Sequence, residues 1–438
     1  MVNKSRDNVS ILVKLLLLTM CCTSFLIFPS IQGTTLAYLL TFSMLITCLF
    51  INKRKSKMFY FDIVKFLFFY LFLTMLSQIA LSFSSFTSFH VSEATFIDSN
   101  DSSVLFRKSF FTQSLYLLVA IIFFYFTKNF YSKSWDKYFL TGAAFLSLYG
   151  LYEFVYFLFT HQNGDFISNR MFDGSHSGSL VQWFTIESFV VQRVKSLTGE
   201  PSMFALTIIP FFYYAYYTKR YKLSMLFGLA AVLTFSSTAY LGLAIFFVAK
   251  IIKFYKNIIL LYCASLLCMI LGLIVGFEKI WKIIYDAVFK KLLTDSQSTV
   301  IRSFNFGRHM DFYSNLPFFN KLFGVGFGTV RSTDLFSTLL INVGIIGLII
   351  FIFLFLYPVF KLKNINNEIR AIKLSLIFVY IAMMIAVPEF SYLSSWLFLG
   401  ISYYYIKEAK ASLLSTHLFC YFQANSYSSR YITSVLRF

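Results

Sequence analysis

Apolar runs of roughly 18 to 23 residues recur along the chain between short polar clusters, and a helix rising about 1.5 Å per residue needs that length to cross about 30 Å of hydrocarbon. The runs lack the in-out alternation of membrane-barrel strands. They predict twelve spans, centred near Leu18, Leu45, Tyr70, Leu118, Ser147, Pro210, Leu229, Ala244, Leu267, Leu348, Tyr380 and Leu399. The expected fold class is therefore all-α: a polytopic integral membrane helical bundle over residues 1–407, followed by a cytoplasmic tail at 408–438. Ile11 to Phe28 follows Lys4 and Arg6 as a signal peptide would. No small-residue cleavage site comes after it and another span begins near Thr34, so it is read as a retained first helix.

Composition agrees with a bilayer as solvent. The chain is 58% hydrophobic and 13% charged, which leaves too few charges to cover a water-soluble globule. Cys21, Cys22, Cys48, Cys263 and Cys268 fall inside spans and Cys420 in the tail, a distribution that suggests neither disulfides nor a metal site. The formal charge of +19 sits in short loop clusters rather than on a basic face interleaved with aromatics, which argues against nucleic acid and for topology marking and anionic lipid headgroups. Positive residues of short loops stay cytoplasmic. Placing the N-terminus inside puts Lys53 to Lys57, Lys128 to Lys137, Lys219 to Lys222, Lys250 to Lys256, Lys361 to Lys373 and the tail with Lys407 and Lys410 on one side. Both termini are then cytoplasmic.

The extramembrane chain is spent unevenly. Loops on the inside are short, whereas outer segments span 84–112, 161–201 and 277–335, the last two being the large ones, so the working surface is expected outside. Over 161–201 and 296–335 the basic residues are mostly Arg, namely Arg170, Arg193, Arg302, Arg308 and Arg331, in a chain whose cytoplasmic clusters are mostly Lys. Guanidinium offers a rigid fork matched to phosphate oxygens, whereas ammonium is a hydrated point charge. Pairing with loop acids is the alternative for each of them. From Glu278 to Leu292 an amphipathic helix is expected on the membrane surface or against the bundle. Glu153 lies within the fifth span, where an ionisable group is a functional candidate. Asp62 and Lys65, three apart, read as a local ion pair.

Two stretches carry a resemblance. VQRVKSLTGEPSMFALTIIPFF, residues 191–212, places an Arg and a Gly-Glu-Pro directly before a span, and RSFNFGRHMDFYSNLPFFNKLFGVGFGTV, from Arg302, precedes LINVGIIGLIIFIFLF. Both resemble the Wzy-type O-antigen and capsule repeat-unit polymerases, which are similar in plan to the O-antigen ligases. The topology matches along almost the whole chain, the sequence stretches along about a sixth of it. Some members carry an Arg followed eleven residues later by Gly in both large outer loops, a spacing absent here, so which Arg meets phosphate is left open. The ligases tend to have a His near the start of the following span; RSTDLFSTLL has none, which favours a polymerase.

Read without the family, Pro201 fits a first helical turn and biases Glu200 to an extended conformation. Glu200 is then an ordinary N-cap, or a carboxylate beside the helix dipole placed to take a proton from a sugar hydroxyl, although the dipole would lower its pKa. Gly324, Gly326 and Gly328 lack the strand and ribose-binding acid of a nucleotide site and read as a re-entrant turn. Gly344 and Gly347 read as a close-packing face.

The resemblance implies transfer of a growing glycan from an undecaprenyl diphosphate carrier onto a second lipid-linked repeat unit, at the outer face of the cytoplasmic (inner) membrane, in O-antigen (lipopolysaccharide) or capsule synthesis. Glu200 is the expected catalytic base, and Arg193, Arg302, Arg308 and Arg331 the diphosphate or anion ligands. His309, Glu153 and Arg170 are expected accessories. No metal or cofactor is implied; membrane lipids and a chain-length regulator protein are the implied partners. The rival readings are a lipid-linked oligosaccharide flippase, an O-antigen ligase and a non-catalytic scaffold.

Overall fold

The computed structural model of the chain describes residues 11–50, 52–84, 94–170, 181–186, 189–254 and 297–410. They are mostly helical. In chain order they form α1 (Ile11–Thr19), α2 (Leu36–Thr47), α3 (Lys53–Ser82), α4 (Lys108–Phe130), α5 (Asp136–Thr160), a hairpin of β1 (Trp183–Ile186) and β2 (Phe189–Gln192), α6 (Pro201–Tyr217), α7 (Tyr221–Val232) and α8 (Ser237–Phe254). There follow α9 (Gln297–Ser314), α10 (Phe318–Phe323), α11 (Leu335–Lys361), α12 (Asn367–Ile385) and α13 (393–410). A helix covers every expected span centre except Leu267, which lies outside the described residues, as do the surface helix expected over 278–292 and the tail from 411. Four described helical segments are long and apolar enough to cross a membrane: α3, α4, α5 with its preceding turn, and α11.

Polar caps set several helix starts. Asn52 accepts the amides of Arg54 and Lys55 at 3.1 and 3.2 Å, Asp334 that of Ser337 at 2.7 Å, and Asn366 that of Ile369 at 2.8 Å. Between the caps Phe, Tyr and Ile are poor intrinsic helix formers; a helix satisfies every backbone group without water, which decides the matter in an apolar medium. Helix α6 is buried on nearly all sides and packs against α7, α8 and α12, with Phe211 and Tyr214 meeting Phe139 and Phe398. Near its C-terminal end the Tyr214 hydroxyl lies 2.6 Å from Asp136 Oδ2 and 2.8 Å from Glu368 Oε1. Lys133 joins both carboxylates and Tyr405 donates to Glu368 at 2.7 Å, so this polar knot ties α5, α6, α12 and α13 together.

Several local expectations are corrected. The first apolar run is helical only to Thr19. Beyond it the amides of Thr23 and Ser24 donate to Leu197 O at 2.8 and 3.0 Å, and Asn169 bonds both backbone groups of Leu26, so tertiary partners replace helical ones. Asp62 pairs with Lys128 of α4 at 2.8 Å rather than with Lys65, whose ammonium sits 4.2 Å from the Phe61 ring centroid. The large segment before α6 contains two paired antiparallel strands, where the described residues are otherwise mostly helical. Gly344 interrupts α11 as well as allowing the close approach expected of it, to the Leu322 carbonyl: its φ is +66°, and the break frees the carbonyls of Ile341 and Asn342 to accept the amides of Val325 and Gly326 at 2.9 and 3.0 Å. The GVGFG turn is thus seated on the broken helix. Asn342 completes the seam, bonding both backbone groups of Val330 at 2.8 and 2.9 Å.

Candidate functional site

That seam carries Arg331 to one end of the bundle, where separate stretches of chain converge. Phe96 pairs with Val330 in an isolated antiparallel bridge, and the Arg331 amide donates to Thr95 O at 3.0 Å. The start of α6, helix α9 and the turn 386–389 after α12 close the site. Together they line a cavity of about 460 Å³ that contains Glu200, Ser202, Arg302, Arg331, Thr333 and Glu389. Its size is in the range of small-ligand pockets.

Glu200 occupies the N-cap position of α6 with extended φ/ψ of −132° and 155°, and Pro201 takes the first helical position as the sequence predicts. Its carboxylate makes no capping bond. It turns toward the cavity, where Oε2 accepts from Ser202 Oγ at 3.2 Å. Burial raises the Glu200 pKa above its ordinary value; the Ser202 hydrogen bond lowers it, Glu389 raises it, and Arg331 and Arg302 lower it. The expected lowering by the helix dipole is overturned: desolvation outweighs it once the side chain is directed away from the helix amides. A half-buried carboxylate with a raised pKa is a better proton acceptor than an ordinary one.

The arginines separate. Arg302 and Arg331 line the cavity, and Arg331 forms a close ion pair with the buried Glu389. Arg193 stands behind Glu200, with Nε donating to Thr234 O at 2.9 Å and a terminal nitrogen to Gln182 Oε1. Burial brings its pKa down to about 10, Glu200 and Tyr240 offset part of that, and Arg302 adds like-charge repulsion. Arg170 lines a neighbouring space of about 50 Å³ with Arg331 and Glu389, and one of its terminal nitrogens donates to Thr23 O at 3.2 Å. Arg308, six residues beyond Arg302 on α9, lies outside the cavity lining and over the Phe304 ring, 5.9 Å from its centroid.

The accessory candidates support the walls. His309 is fully buried; its Nε2 meets the Thr95 amide at 3.2 Å and the Thr95 hydroxyl at 2.8 Å, so it holds the residue whose carbonyl accepts the Arg331 amide. Burial lowers its pKa, Asp334 opposes that and Arg308 adds to it. Glu153 is also fully buried and lines no part of the cavity. Its Oε1 lies 3.8 Å from Lys195 Nζ, which is 2.5 Å from Asp165 Oδ2, while its Oε2 accepts the Ser196 amide at 3.0 Å. This anchor fixes the chain between Arg193 and Glu200.

Sequence reasoning missed Glu389, Ser202, Thr95 and the Lys195–Asp165 pair. Glu389 had one signal: it is the sole acid between Glu368 and Glu408, and it follows Pro388 in the turn after a span. Among the described residues no cluster of three or more His, Cys, Asp or Glu is placed to hold a metal ion. No family model matches this chain, and neither a curated protein nor a solved structure matches it.

Proposed function

We propose that this chain is a glycosyltransferase-type polymerase that joins undecaprenyl-diphosphate-linked oligosaccharide repeat units at the outer face of the cytoplasmic membrane, with both termini in the cytosol. The observation that carries the reading is the convergence of Glu200, Arg302 and Arg331, from separate segments of chain, on one cavity. The acceptor sugar hydroxyl attacks the anomeric carbon of the donor; the new C–O bond forms as the bond to the diphosphate oxygen breaks and that oxygen keeps the electron pair. Glu200 takes the hydroxyl proton. A diphosphate is already a good leaving group, so the site supplies positive charge, from Arg302 and Arg331, rather than a proton donor. The resemblance of residues 191–212 and of the stretch from Arg302 to the Wzy-type polymerases supports the same reading.

The test is the length of surface glycan in a strain lacking the gene. Single-repeat chains, restored to polymer by the wild-type gene and not by Glu200→Gln at equal expression, are expected. Unchanged polymer in the deletion strain, or complete loss of surface glycan, would remove the polymerase reading; full rescue by Glu200→Gln would remove the base assignment alone.

A further inference from the structure

Among the described residues four charged side chains line the polar cavity: Glu200, Arg302, Arg331 and Glu389. The proposed reaction uses three of them. Glu389 is left over, a buried carboxylate in a close ion pair with Arg331, whose own side chain is half-exposed. Such a pair does little for stability, because burial strips the carboxylate of its water while a half-exposed guanidinium stays solvated without it. A buried charge of this kind in a cleft, facing a catalytic base, points to the chemistry rather than to the fold.

The turn that carries Glu389 is fixed from several sides. Tyr38 Oη donates to Ser391 O at 2.8 Å and Trp396 Nε1 to Phe390 O at 2.6 Å. The fully buried Tyr392 donates to Thr198 O at 3.0 Å, two residues before Glu200. This strut ties the turn of one carboxylate to the loop of the other, so both face the cavity from a common frame. Charges held in that way stabilise a transition state without having to reorganise.

Glycosyl transfer from a diphosphate separates charge. As the bond from the anomeric carbon to the diphosphate oxygen lengthens, the oxygen keeps the electron pair and the sugar carbon becomes oxocarbenium-like. Arginine answers the negative side of this separation; a carboxylate in contact with that arginine is placed to answer the positive side. We infer that Glu389 is a second catalytic carboxylate, which stabilises the positive charge on the donor sugar while Arg331 holds the departing diphosphate. The inference rests on the proposed glycosyl transfer and adds to it a residue that the base step does not need. Glu389 takes no proton and forms no bond: the acceptor oxygen closes the new C–O bond, and its proton goes to Glu200. The charge on the anomeric carbon exists only in the transition state, so Glu389 acts on turnover and not on binding.

The test is the rate of repeat joining by the full chain in nanodiscs, supplied with the diphosphate-lipid-linked repeat unit of the strain that encodes it. Glu389→Gln keeps the shape of the side chain and an oxygen for Arg331. It is expected to lower kcat about 100-fold and to change KM less than about threefold. Glu389→Asp keeps the charge and the ion pair but draws the carboxylate back by one methylene; it is expected to lower kcat about tenfold, again at unchanged KM. It decides the matter by itself should Glu389→Gln fail to fold. A carboxylate that only seats Arg331 shows itself as a raised KM, so a KM that rises as much as kcat falls, or in its place, overturns the inference. Wild-type kcat in Glu389→Gln does the same and leaves the polymerase reading standing. If the wild-type chain joins no repeats, that reading and the role of Glu389 fall together.

Discussion

At the scale of single residues, desolvation decides the chemistry of the site. Glu200 has both a helix terminus and two arginines nearby to favour its charge, yet its pKa is raised because the carboxylate is taken out of water. A base works only when deprotonated, so a raised pKa moves the acid limb of the pH–rate profile upward. The rate of repeat joining, measured against pH, is expected to fall on the acid side at a pH above the ordinary 4.5 of a glutamate. A limb at or below that value would contradict the burial argument. Lys195 is the converse case, an ammonium fully buried beside the carboxylates of Asp165 and Glu153. Lys195→Met leaves two buried carboxylates facing each other without a counter-charge and is expected to destabilise the protein by about 3 kcal/mol or more, seen as a lower melting temperature in detergent. Residue type and the resemblance singled out Glu200, Arg302 and Arg331 in the sequence, but Arg193, Arg308 and Arg170 equally, and only the fold sorts those that line the cavity from those that do not. Glu389 was barely legible: its one local signal is its place after Pro388 as the sole acid between Glu368 and Glu408, and its importance comes from Arg331, 58 positions earlier, lying against it.

Hydropathy placed the elements but not their interruptions. A helix and a broken helix of the same composition bury the same apolar area, so the average over a window is blind to a single residue that changes conformation. This is why the interruption of α11 at Gly344 and the end of α1 at Thr19 appear only in the structure, whereas the re-entrant reading of Gly324 to Gly328 follows from glycine spacing. Gly324 and Gly344 have φ of +77° and +66°, and a Cβ on either would strike a backbone carbonyl of the other's segment. Gly324→Ala and Gly344→Ala are each expected to reduce stability by about 2 kcal/mol or more, from strain at positive φ plus the displaced seam. Both open the same contact, so the double variant should lose less than the sum of the two. Additive losses in paired thermal melts would show that the turn and the helix break are independent.

For the whole molecule, α6 relates the two polar ends. Its 17 residues run from Glu200 in the cavity toward Tyr214 in the knot with Asp136, Lys133 and Glu368. At about 1.5 Å per residue that is roughly 25 Å, close to the thickness of the hydrocarbon layer, so the topology we propose places the two ends on opposite sides of the bilayer. The same proposed topology puts the knot end inside, because it carries Lys128, Lys133, Lys219, Arg220 and Lys407, the cluster pattern that keeps short loops cytoplasmic. Single cysteines in a background freed of the native ones therefore should report two classes. Those replacing Asn163 and Ser314, beside the cavity-end segments, should react with a membrane-impermeant thiol reagent added to intact cells. Those replacing Lys219 and Asn364 should react only after the membrane is opened. If residue 163 or 314 stays protected in intact cells while residue 219 or 364 is labelled, the cavity faces the cytosol. A diphosphate lipid could still bind there, but polymerisation at the outer face would be excluded.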